Sequence, residues 1–154
     1  MKLKILQVRE ASGGPICSPD VVAEMMREEG RADRECFWVL HLNVRNRVIE
    51  KELVAIGSVA NTVVHPREVF KKAIILGAAN IITMHNHPGG IADPSPEDRT
   101  IWKRLNEVGE IMGIGILDHL IVTPSGEYYS QKEGKTKRKE GHNNGQGSQT
   151  NRSD

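Results

Sequence analysis

Apolar and polar positions change period repeatedly along the chain, and each change marks an element. Residues 2–8 alternate lysine with apolar side chains, the period-two signature of a short edge strand. Ser18-Pro19-Asp20 then opens a helix, with serine at the cap and proline in the first turn, and Gly30 is expected to end it. Val21, Val22, Met25 and Met26 form its inner side, the methionines as core filler. Residues 35–42 read as a strand, 43–47 as a turn and 48–56 as a second strand, together a hairpin. After Gly57-Ser58, residues 59–65 read as a loop or short strand. Pro66 starts a second helix with Val69, Ala73 and Leu76 on one side and Gly77 as its C-cap. Residues 78–84 are an apolar run between Gly77 and Pro88, the pattern of a buried strand. A third helix carries Ile101, Leu105, Val108 and Met112 at helical spacing, with Trp102 packing beside that stripe. Gly113-Ile114-Gly115 breaks it, 116–123 is a strand, and Pro124-Ser125-Gly126 turns into 127–130. Strands mixed with three helices and an early hairpin predict an α/β sandwich with a mixed sheet; no internal repeat is visible.

Composition refines this picture at the C-terminus. From residue 131 onward the chain turns to Lys, Gly, Asn, Gln and Ser without periodicity, which predicts a disordered polar extension. The expected organisation is an edge strand and linker over 1–15, one domain over 16–134 and a tail over 135–154. Residues 131–154 hold six of the 21 basic and three of the 20 acidic side chains, so the body keeps 15 and 17 and is slightly acidic. That body lacks the basic excess of a DNA-binding domain, and the KTKRK cluster is a solubilising feature before it is a weak polyanion contact. Cys17 and Cys36 do not make a disulfide framework. No signal-peptide core and no apolar run of membrane-spanning length is present, so a cytoplasmic location is the default expectation.

The chemistry concentrates in residues 81–98, IITMHNHPGGIADPSPED. His85 and His87 end the apolar run, and on a strand residues i and i+2 point to one face, so both imidazoles project together. That arrangement suits two nitrogen ligands on one zinc ion, which also accepts carboxylate oxygen and keeps a position open in catalytic sites. Asp98, eleven residues after His87, is the candidate third ligand, and Ser95 lies three residues before it. Ser95-Pro96-Glu97-Asp98 is also a helix start resembling a capping box. The two readings are compatible, because a residue in the first helical turn can offer its carboxylate to a metal. Asp118 and His119 are adjacent and face opposite ways on a strand, so they cannot chelate one ion together; one of them is a candidate for a hydrogen bond supporting the ligands. His41, amid apolar neighbours, reads as a satisfied histidine, and His65 and Arg67 sit where they either approach substrate or cap a helix.

The pattern His-x-His, seven residues, Ser, two residues, Asp, met by His85, His87, Ser95 and Asp98, resembles the JAMM signature of the JAB/MPN metallopeptidases. HPREVFKKAIILGAANIITMHNHPGG, followed by PED and later LDHLIV, is similar to the RadC-like branch over roughly residues 16–134. Gly89 replaces the first serine of the usual RadC loop and the loop ends IADPSPED, with its length preserved. RadC-type proteins of full length also carry an N-terminal helix-hairpin-helix segment, for which this sequence has no room. The resemblance implies the three-layer, cytidine-deaminase-like JAB/MPN fold and hydrolysis of peptide or isopeptide bonds. It implies Zn²⁺ held by His85, His87 and Asp98, with Glu35 at the mouth of the first strand as general base on the activated water. Glu50 and Glu52, also acidic and near strand ends, are rival bases. Ser95 would donate to the oxyanion of the tetrahedral intermediate. The partner is then a protein or peptide. A DNA-repair or nuclease-like role is the alternative, for which the letters HNH are a poor argument, since in HNH nucleases they stand for dispersed residues. A non-catalytic binding module would show a broken ligand set, and here the set is intact.

Overall fold

The structure is a computed structural model, and it describes residues 11, 13–57 and 64–138. Six strands form one sheet in the order β2-β1-β3-β4-β5-β6. β1 (Cys36–Leu42) and β2 (Val48–Ile56) make the expected hairpin. β1 also pairs antiparallel with β3 (Asn80–Asn86), which runs parallel to β4 (Gly115–Val122). β5 (Tyr128–Ser130) and β6 (Lys135–Lys137) continue the sheet antiparallel. α1 is Pro19–Met25, α2 Pro66–Leu76 and α3 Pro96–Met112.

The sheet buries both faces, which makes three layers. On one face Phe37, Val39 and Ile81 pack against Val69, Phe70 and Ala73 of α2 and Leu105 of α3. On the other Leu40, Leu42, Ile82, Met84, Leu120 and Val122 pack against Val22 and Met26. Strict alternation along β1 and β3 feeds the two clusters, so the strands read as continuous apolar runs. The mixed α/β class expected from the sequence is the one observed. Among the described residues no helix is long and apolar enough to cross a membrane.

Four local expectations are corrected. α1 ends at Met25 rather than near Gly30, and only Val22 and Met26, one turn apart, face inward; Val21 and Met25 are 38% and 41% exposed. Gly30 instead lies in a 3-10 turn, Glu29–Arg31, where an added Cβ would stand 2.7 Å from Val122 Cγ1; its role is close approach. On α3 the buried stripe is Asp98, Trp102, Leu105 and Gly109, turned from the expected one, so Trp102 is central and Met112 is 44% exposed. Finally, Lys135–Lys137 of the expected tail is strand β6, returned by a turn in which Gly134 adopts φ 64°. The expected strand over 2–8, most of the 59–65 segment and the tail from 139 lie outside the described residues.

Candidate metal centre

β3 delivers the histidines. It is central, hydrogen-bonded on both sides, and its carboxyl end lies beside that of its parallel neighbour β4. The crevice beyond such ends is where open α/β sheets place ligands. His85 is the penultimate residue of β3, and His87 follows the strand, its amide donating to the Val122 carbonyl at 3.0 Å. α3 begins at Ser95 with a complete capping box: the Asp98 amide donates to Ser95 Oγ at 3.1 Å, and the Ser95 amide donates to Asp98 Oδ2 at 2.8 Å. Asp98 therefore caps its helix and faces the histidines at once.

The donor atoms of His85, His87 and Asp98 lie within 4.8 Å of one another. The two Nε2 atoms are 3.0 Å apart, with Asp98 Oδ1 3.1 Å from His85 Nε2 and Asp98 Oδ2 3.3 Å from His87 Nε2. His87 Nδ1 lies 2.8 Å from the Ile91 carbonyl, which can only accept; this puts the proton on Nδ1 and leaves Nε2 with a lone pair. Neighbouring lone pairs need a proton or a cation between them. The observed separations approximate the ~3.3 Å edges of a tetrahedral ion with bonds of ~2.0–2.1 Å, so the residues fit a metal.

The electrostatics agree. Burial opposes ionisation of Asp98, but the His85 and His87 imidazoles beside it hold its carboxyl far below the usual carboxylate range. Burial likewise opposes protonation of His87, yet Asp98, the Ile91 carbonyl and the charge of Glu35 raise its pKa overall. His85 is held by packing, its ring stacked 6.2 Å from Phe37 and tilted 6.2 Å from Trp102.

Glu35, half-buried, precedes β1 by one residue. Phe37 pairs with His85, so alternation puts Glu35 on the face His85 presents. Glu50 and Glu52 lie elsewhere: Glu52 Oε2 is 2.7 Å from His41 Nε2, and Glu50 Oε1 accepts from Lys72 Nζ at 3.2 Å. His41 is fully buried with its Nε2 on that contact and its Nδ1 without a hydrogen-bond partner, so the expected satisfied histidine is satisfied at one ring nitrogen only.

Neither Asp118 nor His119 hydrogen-bonds the three candidate ligands. Asp118 accepts from Ser130 Oγ at 2.6 Å and from the backbone amides of His119 and Lys132. His119 bonds Thr83 Oγ1 and, at 3.2 Å, Asn106 Oδ1, and its ring stacks 5.3 Å from Trp102. Trp102 in turn stacks 6.0 Å from Tyr129, so an aromatic layer backs His85. Burial, with a smaller contribution from His85, pushes the His119 pKa down to about 3.

Asn86 is the residue sequence reasoning passed over. Its amide oxygen accepts from the Cys36 amide at 2.7 Å, and its nitrogen donates to the Ala32 and Arg34 carbonyls at 3.2 and 2.9 Å. The signal was its place between two histidines on a strand, pointing to the other face.

Fold and site together define a three-layer α/β domain with a candidate metal centre at the carboxyl end of its central strand. A family model, the RadC-like JAB domain, matches residues 16–137. UPF0758 proteins of Finegoldia magna and Shouchella clausii are 48% and 46% identical over 117 and 119 residues, covering 75% and 77% of this chain and 52% and 51% of theirs. One of Rubrobacter xylanophilus is 46% identical over 130 residues, 83% of this chain and 56% of its own. The chain belongs to the RadC-like JAB domain family, and it spans about half the length of these curated relatives.

Proposed function

We propose that the chain is a zinc-dependent hydrolase of peptide or isopeptide bonds. The observation that carries the proposal is the convergence of His85, His87 and Asp98 donor atoms, with Glu35 on the same sheet face and its charge acting on His87, at a site where the His87 side chain is 17% exposed. Zinc in that position supplies Lewis-acid chemistry, bringing the pKa of water from 15.7 to about 7.

The chain's own groups carry the rest. Glu35 accepts a proton as the water oxygen adds to the amide carbonyl carbon. The C–N bond then breaks, and Glu35 returns the proton to the departing nitrogen. Ser95 Oγ already accepts from the Asp98 amide, which leaves its own O–H free to donate to the oxyanion. Loss of one such donor lowers kcat by ~10²–10³-fold.

The test combines elemental analysis with hydrolysis of a fluorescence-quenched peptide pool by the unmodified chain, His87→Ala, Asp98→Ala and Glu35→Gln. The proposal expects about one zinc per chain, lost in the two ligand variants and kept without turnover in Glu35→Gln. Zinc indifferent to both ligand changes, or no peptide cleaved by the zinc-loaded chain, would overturn it. Full turnover by Glu35→Gln would take the base role away from Glu35.

A further inference from the structure

We infer that Asn86 is a positioning residue for Glu35: its buried side chain clamps the 32–36 segment and holds Glu35 against the His85–His87–Asp98 cluster. The inference rests on the hydrolase reading above. Asn86 is fully buried, and each of its amide hydrogens has a carbonyl acceptor while its oxygen has an amide donor. Those three partners are the backbone groups of Ala32, Arg34 and Cys36, which bracket Glu35 on both sides. The Glu35 carbonyl itself accepts from the Gly57 amide at 2.8 Å. Upstream, Gly30 lets the preceding turn sit on the Val122 side chain and the Thr123 carbonyl.

The geometry serves the site rather than the sheet alone. Alternation along β3 turns Asn86 to the face opposite His85, so one strand end presents a candidate ligand on one side and the clamp on the other. The base and the ligands are thereby referenced to the same two residues of backbone. Besides Asn86, the one side chain that bonds these backbone groups in the described hydrogen bonds is that of Cys36, a weak thiol donor 3.7 Å from the Arg34 carbonyl. Without Asn86 the buried Cys36 amide loses its side-chain partner, the part-buried bonds to the Ala32 and Arg34 carbonyls go with it, and the weak Cys36 thiol is left on Arg34, so the segment has reason to move. A displacement of ~1 Å at a reacting group is enough to cost ~10²-fold in rate.

The experiment uses the chain carrying Cys17→Ser, so that buried Cys36 is the one thiol. Asn86→Ala is expected to raise the trapping rate of Cys36 by 5,5′-dithiobis(2-nitrobenzoate), in zinc-free buffer, by about tenfold or more. Zinc affinity stays within about threefold, because the ligand atoms are untouched. On the best-cleaved peptide of the pool kcat falls by about 10²-fold with KM unchanged. In the Glu35→Gln background the same change costs less than about threefold, because a positioning residue has nothing left to position. Asn86→Asp keeps the acceptor for the Cys36 amide but turns an oxygen on the two carbonyls, and it carries the same tests if the alanine variant does not fold. An unchanged thiol rate overturns the clamp. A full multiplicative loss in the double variant overturns its action through Glu35. A parent chain that cleaves nothing sinks the hydrolase reading instead, while the thiol rate, which involves neither metal nor substrate, still decides the clamp.

Discussion

Asp98 has two jobs in this structure, and Asp98→Asn separates them. Its Oδ2 accepts the Ser95 amide at 2.8 Å as part of the α3 capping box, while both oxygens stand 3.1–3.3 Å from imidazole nitrogens. An asparagine with its amide oxygen in the Oδ2 place keeps the Ser95 bond, and the backbone amide at 98 still donates to Ser95 Oγ. The helix start should therefore survive in metal-free buffer, with a cost below about 1 kcal/mol; Asp98→Ala loses half of the box and costs about 1 kcal/mol or more. Zinc should reveal the other job. At a free concentration of 100 times Kd it stabilises the unmodified chain by about 2.7 kcal/mol. At about 3 °C per kcal/mol for a domain of this size, that raises Tm by about 8 °C. A neutral amide is a poor zinc ligand, so Asp98→Asn should lose most of that increment. The assay is thermal unfolding by circular dichroism at pH 7, with chelator and with buffered zinc. If the asparagine variant gains as much from zinc as the parent, Asp98 is a helix cap only and the third ligand must be sought elsewhere.

Two further outcomes follow from packing and burial. His119 is held at about 3, below its ordinary 6.5, so the folded chain refuses a proton that the unfolded chain takes up. Its contribution to stability is complete above pH 6.5 and is lost as pH falls toward 3, at up to about 1.4 kcal/mol per pH unit; urea titrations from pH 7 to 4 should show that acid limb flattened in His119→Gln, and an unaltered limb would assign it to other groups. At Gly109 an added Cβ would stand 2.7 Å from the Ile114 carbonyl oxygen. Gly109→Ala should therefore destabilise by about 1–3 kcal/mol in urea unfolding despite alanine's better helix propensity, and a stabilised variant would show that the α3–β4 connection yields.

Local sequence patterns determined the candidate ligand trio and most elements of this protein. His85 and His87 share a face because strand alternation is a property of the backbone itself, and Asp98 returns toward them because Ser95 and Pro96 start a helix at that point. The hairpin of β1 and β2 and the glycine cap of α2 were legible for the same reason. Helical phase was less so: α1 and α3 each offered two adjacent apolar stripes, and only contact with the sheet chose Val22 and Met26 in one and Trp102 and Leu105 in the other. Lys135–Lys137 has a tail's composition, yet it is a strand because β5 offered an unpaired edge. What tertiary structure alone decided is the neighbourhood of the site. Strand order brought residues 32–36 beside Asn86, about fifty positions away, and separated Glu50 and Glu52 from the cluster by tying them to Lys72 and His41. Periodicity says which residues share a face; which strand ends meet is set by burying both faces of the sheet at once, a non-local condition that no window of sequence contains.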